Sequence, residues 1–108
     1  MSTLLPVDDN GHPIGILGFA PQGTVRLAVG ATSVRNAVPI ADEVAVVSLI
    51  ATGPCRFEVG GAGVVADVAT SPFLHPGQYV DLPLRHHQRH VAFIAEDTPC
   101  YAYIIGRI

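Results

Sequence analysis

From residue 24 onward, apolar and polar side chains alternate in short stretches, each closed by Gly, Pro, Asp or Asn. Val and Ile dominate these stretches and helix formers never gather into sustained runs, which predicts strands. Residues 24–29 place Val25, Leu27 and Val29 on one side and Arg26 and Ala28 on the other, and Gly30 ends the run. Residues 33–38 set Val34, Asn36 and Val38 against Arg35 and Ala37 before Pro39. Residues 43–51 (EVAVVSLIA) are apolar on both sides, predicting a strand buried on both faces, either central in the sandwich or covered by a partner.

Past the Gly53-Pro54 turn, residues 55–59 point Cys55, Phe57 and Val59 inward and Arg56 and Glu58 outward. The glycines at 60, 61 and 63 bend the chain, and residues 64–68 are read as a further strand. Turn signals at Ser71-Pro72 and Pro76-Gly77 precede a strand over residues 79–84 carrying Val80, Leu82 and Leu84. The polar run RHHQRH follows as a loop. Residues 90–96 and 100–107, joined through Asp97-Thr98-Pro99, read as an antiparallel hairpin in which Tyr101, Tyr103 and Ile105 share a side. About eight short strands with regular turn signals predict an all-β fold, a small antiparallel sandwich or jelly roll spanning residues 24–108.

The first 23 residues differ. Leu4, Leu5, Val7, Ile14, Ile16, Leu17 and Phe19 are interleaved with Pro6, Gly11, Pro13, Gly15, Gly18 and Pro21. Apolar side chains on such a backbone predict an extended arm over residues 1–23, which either lies on its own sandwich or reaches a neighbouring subunit.

Composition sharpens this picture. The 108 residues suit one domain, and 49% hydrophobic against 14% charged is apolar for a small lone domain. Part of the surface is therefore expected to be covered by another polypeptide. All six basic residues are arginines, whose planar fork favours fixed ion pairs and interfaces over flexible solvation. A formal net charge of -3 without a basic block offers no footprint for nucleic acid. No apolar run approaches the roughly 18 residues of a bilayer span, and MSTLLPVDDNGHPIG lacks the basic start and apolar stretch of an export signal. Neither a membrane partner nor export is expected.

Candidate chemistry is sparse. Cys55 and Cys100 stand outside any CxxC pair; they are read as two reduced buried thiols or as a disulfide between neighbouring strands. His75, His86, His87 and His90, with His12 in the arm, are the one candidate metal cluster, and a small cupin-like metal enzyme is the reading they would support. Yet adjacent His86 and His87 diverge in extended backbone, and HExxH or HxH spacing is lacking, so a solvated loop is the plainer account. Ser33, Ser48 and Ser71 have no GxSxG elbow, and the GGAG at 60–63 lacks the Lys of a phosphate loop. No catalytic residue, cofactor or metal is assigned.

The run VGATSVRNAVP at 29–39, the stretch VAVVSLIATGPCRFEVGGAGVVADVATSPFLHPGQYVDLP at 44–83 and the closing VAFIAEDTPCYAYIIGRI resemble small tailed-phage and prophage head proteins. The matching elements are Gly30-Ala31-Thr32-Ser33-Val34-Arg35, an aromatic strand ending in Gly60-Gly61, the Pro76-Gly77 turn and the closing segment around Glu96-Asp97-Thr98. RHHQRH departs from the neutral connection expected there. The resemblance implies a β-sandwich capsid cement or decoration protein on the outer surface of a virion head. Its partners would be the major capsid protein and its own copies, as a homo-oligomer expected to be a trimer. A tail, neck or fibre module binding another virion protein or a host glycan is the alternative. Contacts are expected from Leu4, Leu5, Ile14, Ile16, Leu17 and Phe19 in the arm, from Arg26, Arg35, Arg56, Arg85 and Arg89, and from Tyr79, Tyr101 and Tyr103 as anchors.

Overall fold

A computed structural model of the chain describes residues 18–108. It contains β1 (Phe19–Val29), β2 (Val34–Arg35), β3 (Val46–Ala51), β4 (Cys55–Gly60), β5 (Phe73–Leu74), β6 (Val80–Pro83), β7 (His90–Ala95) and β8 (Cys100–Arg107), and no helix among the described residues. The strands form two antiparallel four-stranded sheets, ordered β1-β8-β3-β6 and β2-β7-β4-β5.

That order has a simple construction. The chain reverses between β4 and β5, so that β3 pairs with β6, β2 with β7 and β1 with β8. The resulting long ribbon rolls up until β3 also meets β8 and β4 meets β7, closing both sheets. This is the jelly-roll arrangement of a β-sandwich. It corrects the expected final hairpin: β7 and β8 lie in different sheets, and residues 96–99 cross between them. Alternation shows only which side chains share a face; which strand lies alongside is decided by the rolled ribbon.

The core forms where inward residues of the two sheets meet. Val29, Val47, Leu49, Ala102 and Ile104 from the first sheet face Cys55, Phe57, Leu74, Val91, Phe93 and Ala95 from the second. Burying each of the larger side chains contributes about 1.5–3 kcal/mol.

Several expected strands are shorter than predicted. Residues 36–45 leave the sheet after Arg35: Asn36 turns inward, its Oδ1 accepting from Val91 N at 2.9 Å and its Nδ2 donating to Val38 O at 2.7 Å. Val38, outside the strand, is 75% exposed. Residues 64–67 are irregular and Val68 enters a turn, so no strand forms there; the missing element is supplied by β5. Of the valines in this stretch only Val64 packs against the sheet, at Gly60, while Val65 and Val68 stay exposed.

At the other end, Gly18 exchanges both backbone hydrogen bonds with Ile108, and Phe19 pairs with Arg107. Between Phe19 and Thr24 the strand bulges against β8. Gln22 takes a positive φ of 55° there, and a Cβ on Gly23 would sit 2.7 Å from the Ala20 Cβ, so the bulge requires glycine at 23.

Candidate partner-binding face

The two sheets treat their outer faces differently. In the second sheet, Arg35, Ala92 and Glu58 lie side by side on the outer surface, by the pairing of β2 with β7 and β7 with β4. Residues 61–72 cross this surface. Ala66 N donates to Ser33 Oγ at 2.9 Å, Ser71 Oγ donates to Glu58 Oε1 at 2.9 Å, and Arg56 Nη1 donates to Ser71 O at 3.0 Å. Val64 sits so close to Gly60 that a Cβ on that glycine would lie 2.9 Å from the Val64 Cβ. Ala66, Ser71, His90 and Ala92 are all buried as a result.

The first sheet has no such cover among the described residues. Its register aligns Arg26 with Tyr103 and Ile50, Ala28 with Tyr101, Thr24 with Ile105 and Ser48, and Val46 with Arg107. On this outer face the Arg26 guanidinium lies 4.8 Å over the Tyr101 ring and Arg107 lies 4.5 Å over Phe19. Phe19 is 67% exposed and Tyr101 46%. Tyr79, 63% exposed, precedes the inward Val80 and so falls on the same outer side at the β6 edge.

A polar seam underlies this surface. Arg107 Nη1 donates to Ser48 Oγ at 3.1 Å, and Ser48 Oγ donates to Asp81 Oδ1 at 2.5 Å. Arg107 Nε also donates to Gly18 O at 3.2 Å. The chain spans three strands, β8, β3 and β6, and leaves the buried Ser48 satisfied. Charge-assisted bonds of this kind hold Arg107, Ser48 and Asp81 in one geometry beneath the face.

Of the residues expected to make contacts, the structure gathers Phe19, Arg26, Tyr79, Tyr101 and Tyr103 on this one face. The other arginines are dispersed. Arg35 donates to Asn36 O at 2.9 Å, and Arg56 pairs with Glu96 at 3.0 Å while its guanidinium lies 5.6 Å over Phe73. Arg89 reaches across to Ile40 O at 3.1 Å, to Val44 O at 2.7 Å and to Ala41 O, fastening residues 40–44. Arg85 is exposed in the loop before β7. Leu4, Leu5, Ile14, Ile16 and Leu17 lie outside the described residues.

Arg107, Ser48 and Asp81 were not anticipated as parts of the face. Arg107 was legible, since it continues the 101, 103, 105 phase of β8; the Ser48–Asp81 contact needed the β3–β6 register.

Among the described residues the histidines do not converge; His12 lies outside them. His86 and His87 meet each other edge to face at 5.0 Å, His75 meets Phe73 at 4.7 Å, and His90 is buried in β7 opposite Gly60. No group of three His, Cys, Asp or Glu among the described residues could hold a metal ion. Burial, and then the charge of Arg35, hold the His90 pKa below the ordinary imidazole value.

The fold and the face together define a jelly-roll domain in which, among the described residues, one sheet is covered by the chain's own loop and the other is not. Comparison with known proteins adds no relative: no family model, curated protein or solved structure matches the chain.

Proposed function

We propose that this chain is a virion structural protein of cement type, which binds the assembled head shell of a tailed phage through the open face of its first sheet. One observation carries the binding part of this reading. Among the described residues the second sheet is roofed by residues 61–72, whereas the first presents Phe19, Arg26, Tyr79, Tyr101 and Tyr103 on its outer face. Tyr and Arg in that combination are the side chains enriched at energetic centres of protein interfaces.

The choice of partner rests on the resemblance of residues 29–39, 44–83 and 91–108 to small phage head proteins. Jelly rolls recur in viral capsid proteins, lectin domains and cupins, so the fold is compatible with the capsid role and supports it by analogy alone. A binder that recognises only the assembled lattice stabilises it by mass action, by about 2.7 kcal/mol per site at a hundredfold excess over its Kd. Copies arranged as trimers would repeat that gain over many positions.

The test is to mix the purified chain with assembled shells and with unassembled major capsid protein, sediment both, and image the shells by cryo-electron microscopy. Regular density over the shell and no association with free subunits is the result expected. Density confined to the tail or neck, or no co-sedimentation, would overturn the head assignment.

A further inference from the structure

Cys55 opens β4 and Cys100 opens β8, so the two cysteines belong to opposite sheets and not to neighbouring strands. Two crossings bring them together. Residues 52–54 carry the chain from β3 to β4, and residues 96–99 carry it from β7 to β8. The crossings are laced side by side: Glu96 N donates to Pro54 O at 3.1 Å, Thr52 N to Tyr101 O at 2.9 Å, and Tyr101 N to Thr52 Oγ1 at 3.0 Å.

Gly53 makes this approach possible. A Cβ at that position would lie 2.9 Å from the Cys100 Cβ and 3.7 Å from its Sγ. Cys55 lies in the core and Cys100, opposite the inward Val29, packs against that core, so both side chains turn inward at this end of the sandwich. The neighbouring Cys100 is among the causes that push the Cys55 pKa up. Cys55 is fully buried in the core cluster, while Cys100 is half-buried and borders a surface opening lined by Ala28, Thr52, Pro99 and Tyr101.

We propose that Cys55 and Cys100 are a redox pair whose disulfide staples the two sheets of the jelly roll. The oxidant is a low-molecular-weight disulfide such as oxidised glutathione. The accessible Cys100 thiolate attacks one of its sulfurs, releases one glutathione thiolate, which takes up a proton, and leaves a mixed disulfide on Cys100. The Cys55 sulfur then gives up its proton to solvent and attacks the Cys100 sulfur, expelling the second glutathione. Two protein thiols lose two electrons and two protons; one small disulfide becomes two thiols.

The order of attack follows from the surroundings of each sulfur. Burial first, then the adjacent Cys100, push the Cys55 pKa up to about 12, so Cys55 stays protonated and serves as the resolving thiol. Ring closure between positions 55 and 100 removes a long loop from the unfolded ensemble, where cross-linking has its largest effect.

The experiment uses the full chain, reduced, freed of reductant and exposed to oxidised glutathione at pH 8. Intact mass after denaturing alkylation should show loss of two hydrogens, no alkyl groups and no glutathione. The melting temperature should rise by on the order of 10 °C and fall back on reduction. Cys55→Ala, which keeps a small apolar group in the core, should stop at a stable Cys100 glutathione adduct. Wild-type chain that keeps both thiols alkylatable, retains a single glutathione, or forms only intermolecular disulfides would overturn the pairing. Because the readouts are mass and melting temperature, they are independent of shell binding.

Discussion

Ser71 donates its hydroxyl to Glu58 across 2.9 Å, and through this bond the excursion between β4 and β5 is tied to the outer surface of the second sheet. The same hydroxyl accepts from Asp67 N at 2.9 Å, closing the turn that carries it. One buried oxygen thus orders the loop and seats it. Without the seat, Ala92 and His90 would face solvent.

Ser71→Ala removes both bonds at a buried site and should destabilise the fold by about 1–3 kcal/mol. Urea unfolding measures the loss, and hydrogen exchange should show faster exchange in residues 61–72 ahead of β7. Gly60→Ala should act on the same contact, since the added methyl would collide with Val64. Overpacking of this kind costs about 1–3 kcal/mol.

Arg89 fastens residues 40–44 through three backbone carbonyls. Arg89→Lys keeps the charge but cannot span the three acceptors, because an ammonium lacks the planar fork. A loss of about 1.5–3 kcal/mol is expected, close to that of Arg89→Met, again read from urea midpoints. If Lys restored full stability, charge alone and not the fork would be holding the loop.

The open face predicts the opposite pattern. Arg26→Ala combined with Tyr101→Ala removes a stacked pair that lies on the surface, so stability should change by less than about 0.5 kcal/mol per site. Occupancy on assembled shells should fall at least tenfold, about 1.4 kcal/mol, as for an interface anchor. Sedimentation with shells and urea unfolding of the same variant separate the two quantities.

Acid should weaken the fold through His90. Its folded-state pKa lies below the ordinary 6.5, so the unfolded chain binds the proton more readily. The contribution of neutral His90 is fully present above pH 6.5 and is lost progressively as pH falls below it, toward the depressed folded value. Urea midpoints measured between pH 7.5 and pH 5 should decline in the wild type and decline less in His90→Gln. An unchanged slope would show that other groups carry the acid sensitivity.

Much of the fold was legible in residue order. The alternation of Cys55, Phe57 and Val59 against Arg56 and Glu58 survives in β4, and the two-sided apolarity of residues 43–51 survives as the central strand β3. What failed was neighbour assignment. Residues 90–95 and 100–107 are adjacent in sequence and strand-like, yet each finds its partners elsewhere, because the ribbon rolls as a unit. Val64 and Val65 have strand composition, but glycines at 60, 61 and 63 turn them across a sheet instead of into one.

For the candidate face, residue type pointed to Tyr79, Tyr101, Tyr103 and Arg26, while their meeting on one surface required the β1–β8–β3 register. Arg35, Arg56 and Arg89 were indistinguishable from Arg26 by type. Each reaches backbone carbonyls or a carboxylate brought near by the fold, and an arginine takes such partners wherever it finds them.

The amino-acid order by itself determined that this chain is a β-sandwich and which side chains in each strand turn inward, because alternation is a local property of extended backbone. Only the tertiary structure decided which sheet residues 61–72 cover, which arginines are consumed and that Cys55 and Cys100 turn inward from opposite sheets at one end of the sandwich. Those outcomes depend on contacts between residues far apart in the chain, and no local pattern encodes them.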